Sequence, residues 1–219
     1  MSDGPAGVQI VRIPPDGADR VVDVLREAFY DYPVMRYVLA DAGEAYPRRL
    51  RTLVGFFVMA RALRDEPLLG IPRAEGSGPD PSAELAAAAT VSFLDGPPSP
   101  PELAVLRDRV WTELGDEARE RYERCGVAWS PLEEVGSRHI HLNMIGVRGG
   151  ARGLGLARRL LDHVHDLSRQ RADSMGVTLT TEDPRNVPFY ERMGYEVVGH
   201  ARIAPELETW GMFRRDPHG

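Results

Sequence analysis

The spacing of apolar residues changes period at a glycine-rich turn in the last third of the chain. Residues 139–147 form an apolar, partly β-branched run, as buried strands do. Beyond the turn the spacing becomes helical, with apolar residues at Ala157, Leu160, Leu161, Val164 and Leu167. The pattern predicts a strand, a glycine turn, and a helix from about residue 153 to about residue 173.

The same reading predicts elements on both sides of this unit. Before it, strands are expected at 8–13, 67–71 and 84–94, helices at 21–29 and 44–64, and a mobile loop at 76–82. After it, a strand at 176–181 and a short helix at 186–193 precede an antiparallel pair at 195–203 and 208–214. The predicted class is α/β (α+β).

Residues 95–138 interrupt this order and begin with a proline-rich stretch. Helical spacing of apolar residues predicts one helix ending at Gly115 and a second, capped by Asp116, ending near Gly126. This segment is interpreted as a helical insertion. Its tryptophans, Trp111 and Trp129, either wall a ligand pocket or anchor the insertion to the sheet.

Composition favours one globular domain over residues 1–219. The chain has 42% hydrophobic and 27% charged residues and no apolar run of transmembrane length, so no membrane contact is expected. Residues 1–7 have neither a basic start nor an apolar core, and we expect a loose terminus, not a signal peptide. The single cysteine, Cys125, cannot form an internal disulfide. These features predict a cytoplasmic protein.

Charge removes several classes of function. All 27 basic residues are arginine, and the absence of lysine excludes P-loop NTPases and Schiff-base enzymes. The net charge of −6 makes nucleic acid an unexpected partner. Residues 148–171 are nevertheless rich in arginine. Arg169 and Arg171 fit the solvated face of a helix as well as they fit a binding site. Arg148 and Arg152, in contrast, flank the glycine turn.

A helix that begins directly after a glycine turn presents free N–H groups and the positive end of its dipole. Such a terminus binds phosphate, although many glycine turns are plain connections. Here two motifs occur together. Val147 followed by Arg152-Gly153-Leu154-Gly155-Leu156-Ala157 resembles the R/Q-x-x-G-x-G/A turn of the GNAT superfamily of acyl-CoA-dependent N-acyltransferases. The segment from Asn186 through Phe189-Tyr190 to Gly194-Tyr195 resembles that family's N-x-x-x-F-Y-x-x-x-G-F segment.

The resemblance implies a mixed, mostly antiparallel twisted sheet flanked by helices, with a splayed central strand pair and an acyl-CoA-binding core at 139–200. It also implies acetyl-CoA as co-substrate. The residues it assigns to the cofactor are Ile145, Gly146, Val147, Arg152, Gly153, Leu154, Gly155, Leu156, Ala157, Asn186 and Tyr190; Arg148 is added as a phosphate contact because of its position beside the glycines.

The resemblance assigns Tyr190 as the acid that protonates the departing sulfur. The base is open between His141, six residues before Val147, and Glu182 beyond the next strand; His141 equally fits a core histidine. His139 and His141 share a strand face, which is metal-ligand spacing, but no third ligand is evident and no metal is expected.

The connection between the first two helices borders the acceptor cleft in the family, so Phe29, Tyr30, Asp31 and Tyr32 either line that cleft or pack in the core. The prediction is N-acetyl transfer to a primary amine, most simply on a small cationic molecule. Two alternatives stay open: a non-catalytic acyl-CoA-binding or regulatory domain, and an acetyltransferase of protein amino groups. The sequence does not decide between a monomer and a homodimer.

Overall fold

The computed structural model describes residues 9–73, 83–93, 96, 98–136 and 138–217. Its strands are β1 Val11–Arg12, β2 Leu68–Pro72, β3 Leu85–Phe93, β4 Ile140–Val147, β5 Gly176–Thr181, β6 Glu196–Ala204 and β7 Leu207–Arg215. Within the described residues they form one seven-stranded sheet in the order β1-β2-β3-β4-β5-β7-β6. Every neighbouring pair is antiparallel except β4 and β5. The predicted mixed, mostly antiparallel sheet is confirmed.

The two parallel strands in the middle of the sheet separate soon after they meet. Pairing between β4 and β5 runs only from Ile140 opposite Val177 to Leu142 opposite Leu179. Beyond these residues β4 stays paired with β3 and β5 with β7. The sheet therefore opens between its two halves, which is the predicted splayed pair.

A β-bulge in β4 lies where this opening begins. Thr90 of β3 faces Met144 and Val91 faces Leu142, so Asn143 is an extra residue in β4. Ile140 and Leu142 accordingly pack in one core, whereas Met144 packs in the core on the other face of the sheet. Simple alternation along 139–147 does not reveal this change of face, because a bulge shifts the alternation by one residue.

Helices cover both faces of the sheet. They are α1 Ala18–Ala28, α2 Pro33–Val38, α3 Tyr46–Ala62, α4 Pro101–Leu114, α5 Asp116–Arg124, α6 Leu156–Arg169 and α7 Val187–Arg192. Leu25 of α1 and Leu53 of α3 belong to the core that contains Met144. Leu160 and Val164 of α6 belong to the core that contains Ile140 and Leu142. Among the described residues, no helix has the length and apolarity needed to cross a membrane.

Several predicted boundaries need correction. The helix after the turn begins at Leu156, not near residue 153, because Gly153 and Gly155 have left-handed φ values of +79° and +73°. It ends at Arg169, soon after its apolar stripe ends at Leu167. Asp116 is the first residue of α5 rather than its cap, which is Gly115. The sequence reading missed α2 and a 3-10 segment at Cys125–Val135, and the predicted loop at 76–82 lies outside the described residues.

Candidate active site

A cavity of about 1220 Å³ lies at the opening between β4 and β5. Its walls come from these two strands, the connection between α1 and α2, the end of α3, and the insertion. Residues that were predicted from sequence and line it are Phe29, Tyr30, Asp31, Tyr32, Trp129, His141, Ile145, Gly146, Val147, Arg152, Glu182, Asn186 and Tyr190. Residues over 160 positions apart in sequence are thus brought together around one space.

The glycine turn reaches this cavity through Arg152, and it has the geometry of an anion site. Gly155, at the N-terminus of α6, and Gly153 both have positive φ, and an added Cβ at either would meet no atom within 4 Å. Alternating left- and right-handed residues point successive N–H groups to one side. Among the described residues, the N–H groups of 153–158 have no backbone acceptor outside the helix. These donors are available to a phosphate.

Leu154, Leu156 and Ala157 contribute backbone rather than side-chain chemistry to this turn. The Leu154 side chain is 67% exposed, whereas Leu156 is buried in the core beneath α6. Gly146 is also placed by close packing, since a Cβ there would lie 2.6 Å from the Ala28 Cβ. Gly146 therefore lets α1 pack directly on β4, while the edge of β4 toward β5 is unpaired beyond Leu142.

Arg148 is not a free phosphate ligand. Its Nη1 donates to Glu27 Oε2 at 2.8 Å, its Nη2 lies 3.2 Å from Glu84 Oε1, and its Nε donates to the Leu85 carbonyl at 2.9 Å. The Gly149 N–H donates to Glu27 Oε1, and this bond contributes most to lowering the Glu27 pKa. The expectation that Arg148 contacts phosphate is corrected, because its guanidinium is already held by two carboxylates. Arg152 lines the cavity and has no such ion pair within the described residues.

Tyr190 of α7 lies on the cavity wall and is only 7% exposed. Burial, followed by the negative charge of Glu182, raises the pKa of its hydroxyl. The phenol is therefore protonated at neutral pH. Asn186 precedes α7, and its Nδ2 donates to Thr181 Oγ1 at 3.3 Å, which holds the start of this helix at the end of β5.

Glu182 is a buried carboxyl at the end of β5. Its Oε1 accepts from Thr209 Oγ1 at 2.9 Å, and its N–H donates to the Tyr32 hydroxyl at 3.0 Å. Burial raises the Glu182 pKa above its ordinary value. Tyr32 also hydrogen-bonds Thr181 Oγ1 at 3.0 Å. The α1–α2 connection is thus tied to the residues around Glu182, and Tyr32 is more than a lining aromatic.

His141 faces the cavity from β4 and is 3% exposed. Its Nδ1 lies 3.0 Å from Thr178 Oγ1, and its ring packs on Trp129 with centroids 4.5 Å apart. Burial, with smaller contributions from His139 and Arg61, lowers its pKa to about 3. His141 is neutral at pH 7 and binds a further proton weakly, which counts against its role as the base. His139 precedes the strand, and no cluster of three metal-ligating side chains occurs among the described residues.

The two tryptophans of the insertion occupy different environments. Trp111 is 6% exposed and packs on Phe56 and Tyr122, with ring centroids 6.1 and 4.8 Å apart. It does not line the cavity. The expectation that Trp111 contacts the acceptor is therefore corrected: it anchors the insertion, although to α3 and α5 rather than to the sheet. Trp129 is 48% exposed and lines the cavity beside His141.

Two strand glycines that sequence reasoning did not single out hold the segment that carries Trp129. An added Cβ at Gly199 of β6 would lie 2.7 Å from Pro131, and one at Gly211 of β7 would lie 2.6 Å from it. Pro131 therefore sits directly on the backbone of the outer strands. Glycine in a strand interior often marks such a close approach, and this was the available sequence signal.

Replacing the tryptophans should separate these roles. Trp129→Ala is expected to raise the KM for an amine acceptor about tenfold and to change the Kd for CoA less than about twofold. Trp111→Phe is the matched control, and it should cost about 1 kcal/mol of unfolding free energy without changing either constant. Steady-state kinetics, calorimetry and thermal melts give these quantities. A weaker CoA affinity in Trp129→Ala would contradict its assignment to the acceptor side.

Comparisons with known proteins agree with this geometry. Residues 117–212 match a family model described as "Acetyltransferase (GNAT) domain". A 69-residue stretch is 35% identical to the 5-NmdU N-acetyltransferase of Pseudomonas phage PaMx11, covering 32% of this chain and 48% of that protein. The match thus spans about half the length of this relative.

Solved structures share the fold over nearly the whole chain. An acetyltransferase from Corynebacterium glutamicum, described as related to histone acetyltransferase HPA2, has a TM-score of 0.61 at 16% identity, covering 94% of each chain. Arylalkylamine N-acetyltransferase 2 from Aedes aegypti has a TM-score of 0.59 at 13% identity, covering 95% of this chain and 98% of that one. These findings confirm the resemblance to the GNAT superfamily that the two sequence motifs indicated.

Proposed function

We propose that this chain, whose fold and motifs are those of the GNAT superfamily, is an N-acetyltransferase that moves an acetyl group from acetyl-CoA to a primary amine. The observation that carries the proposal is the opening between β4 and β5, which leads from the glycine turn to Tyr190 and Glu182. The N-acetyltransferase match over part of the chain supports the same chemistry.

The cofactor is assigned to the open edge of β4. The N–H groups of 153–158 bind the pyrophosphate, and Arg152 adds a positive charge beside it. The pantetheine arm pairs with the backbone of Ile145, Gly146 and Val147, where β4 has no partner on its β5 side. Its thioester then lies near the bulge at Asn143, and Tyr190 and Asn186 face it from the β5 side.

The transfer is a direct attack of the neutral amine on the thioester carbonyl. The amine nitrogen forms a bond to the carbonyl carbon, the carbon–sulfur bond breaks, and CoA leaves with the electron pair on sulfur. Tyr190 donates a hydrogen bond, and in time a proton, to that sulfur. The attacking nitrogen must lose one proton to a base.

Glu182 is the stronger candidate for this base. A primary amine with a pKa near 10.4 has only about one neutral molecule in two thousand at pH 7. Proton transfer from such an amine to His141, at a pKa of about 3, is uphill by about 10 kcal/mol. Burial raises the pKa of Glu182 and so reduces the difference between the pKa of this carboxyl and the pKa of the amine. Glu182 acts directly or through a water molecule.

The pH dependence of kcat/KM tests this assignment. Only ionised Glu182 accepts a proton, so the rate should fall as pH falls through its raised pKa. Glu182→Gln should remove this limb and lower kcat roughly tenfold at pH 7, below the usual range because the open cavity admits water as a relay. His141→Gln, the matched control, should keep the limb. A limb lost only in the His141 variant would reverse the two roles.

The general test is a thiol-release screen of an amine library with acetyl-CoA. Release of CoA that depends on one class of amine, with an acetylated product detected by mass, supports the proposal. Tight CoA binding with no thiol release from any amine or peptide would favour a non-catalytic sensor. Release with peptides alone would favour a protein acetyltransferase.

A further inference from the structure

The end of α3 brings two arginines to the cavity on the side of the insertion. Arg61 is the penultimate residue of α3, Arg64 follows its end, and both line the cavity together with Arg107 of α4. No carboxylate from α3 or α4 lines this part of the wall within the described chain. The lining carboxylates come instead from the end of α1 and the α1–α2 connection, Glu27 and Asp31, and from the end of β5, Glu182 and Asp183.

Arg61 is a fixed cation above the β4 bulge. Its side chain is 15% exposed, and its Nη1 donates to Asn143 Oδ1 at 3.1 Å and lies 3.2 Å from Glu66 Oε2. Glu66 is itself buried and accepts the Phe93 N–H at 3.1 Å. Nε and Nη2 of Arg61 make no hydrogen bond with any described residue. A guanidinium with two such donors on a cavity wall is built to accept a planar or tetrahedral anion.

Arg64 adds a second positive charge without a carboxylate of its own. Its Nη2 donates to Ser99 Oγ, and its Nε is buried without a hydrogen-bond partner among the described residues. The positive charge of Arg64 contributes to lowering the pKa of Arg61 and opposes the rise in the pKa of Glu66. Arg61 and Arg64 therefore place two positive charges near one buried carboxylate, Glu66, and leave an excess positive charge that an anion in the cavity would neutralise.

These arginines stand apart from the predicted pyrophosphate site. Asn143, which Arg61 contacts, is four residues from Val147, or about 13 Å along a strand. The glycine turn lies beyond Val147. Around Arg61 are Asn143, His141 and Tyr122, which line the cavity where an acceptor must reach the thioester. An anion bound here belongs to the acceptor, not to the phosphates of CoA.

From this geometry we infer that Arg61 and Arg64 bind an anionic group of the acceptor, so that the substrate is an amine carrying a carboxylate or a phosphate. This inference rests on the proposed acetyl transfer and replaces the expectation of a purely cationic small molecule. The two guanidiniums neutralise the acidic group, and the amine at the other end of the acceptor points to the thioester beside Asn143. Carboxylate and phosphate are both suitable, because guanidinium binds each in a forked arrangement.

Matched pairs of amines test the inference. We would compare β-alanine with β-alaninamide, phenylalanine with phenylalaninamide, and O-phosphoethanolamine with ethanolamine, measuring kcat/KM in the thiol-release assay. The acidic member of at least one pair should be preferred at least about tenfold, as expected for a charge-assisted hydrogen bond. The carboxylate and phosphate arms distinguish the two kinds of acid.

Three variants test whether Arg61 and Arg64 produce the preference for the acidic amine. Arg64→Gln should erase the preference while leaving kcat/KM for the neutral member within about twofold. Arg61→Lys keeps the charge beside Glu66 and should reduce the preference partly, because an ammonium lacks the forked donors. Arg48→Gln, on the same helix but paired with Glu113 outside the cavity, is the control and should keep it. Equal rates within every pair, or an equal loss for both members in Arg64→Gln, would overturn the inference.

Calorimetry separates this inference from the proposed function. If acetyl-CoA binds but no amine is acetylated, the proposed function fails, and the same pairs are titrated into the complex of the protein with CoA. Selective binding of an acidic member that Arg64→Gln abolishes would still support the subsite. Binding of neither member, or of both alike, would reject it.

Discussion

Gly155→Glu is expected to weaken CoA binding roughly a thousandfold in a protein that remains folded. If the glutamate carboxylate comes within about 5 Å of the pyrophosphate, two unit charges repel by about 3 kcal/mol at an effective dielectric constant of 20, and the pyrophosphate carries more than one. It also opposes the dipole at the N-terminus of α6. Calorimetry with CoA measures the loss.

The control separates charge from backbone strain. Gly155 has a φ of +73°, which asparagine tolerates better than other side chains, and the space around it is open. Gly155→Asn should therefore weaken CoA binding only a fewfold. If Gly155→Glu binds CoA as the unchanged protein does, with a normal thermal melt, the glycine turn is not the phosphate site.

The sequence was most informative where one local pattern determines one local structure. The change from strand to helix spacing around the glycine turn predicted β4 and α6. A strand places every second residue on one face, whereas a helix places residues three and four positions apart on one face, so the two patterns are distinct in the sequence. The strand at Gly176–Thr181 and the antiparallel pair after it were predicted for the same reason. The ends of α6 were less accurate, since positive φ at Gly153 is a property of the folded turn.

The sequence was least informative where distant residues decide the role of a side chain. Arg148 stands beside the glycine turn in sequence, yet its ion pair with Glu27 spans 121 positions. Trp111 and Trp129 both lie in the insertion, and the sequence alone does not distinguish their roles. Only Trp129 lines the cavity, because Pro131, two residues later, packs against Gly199 and Gly211. No periodicity encodes such contacts.

The part of the cavity wall that carries Arg61 and Arg64 also depends on contacts between distant residues. Arg61 and Arg64 fall at the end of the helix predicted at 44–64, and only the fold shows that both line the cavity and that Arg61 hydrogen-bonds Asn143. The bulge that turns Asn143 and Met144 to the same side of β4 depends on pairing with β3. The sequence analysis predicted a cationic acceptor, whereas the charges of Arg61 and Arg64 on this part of the cavity wall favour an acidic one.

Tyr190→Phe is expected to lower kcat about a hundredfold while leaving the Kd for acetyl-CoA nearly unchanged. Burial raises the Tyr190 pKa above its ordinary value near 10, so the hydroxyl is protonated at every pH at which the protein would be assayed. With a thiol pKa of about 8.5, complete transfer to sulfur is uphill by more than about 2 kcal/mol. The hydroxyl therefore acts mainly through a hydrogen bond that strengthens as negative charge grows on sulfur.

This mechanism explains why the loss should lie at the low end of the range for a general acid, because a thiolate leaves fairly well without full protonation. Tyr195→Phe is the matched control: its hydroxyl is also buried but lies 3.1 Å from His165 Nε2, outside the cavity, so its removal should lower stability and spare kcat. Single-turnover kinetics with an accepted amine measure the chemical step directly. A Tyr190→Phe protein with the chemical rate of the unchanged enzyme removes Tyr190 from the mechanism, and the departing sulfur must then take its proton from water.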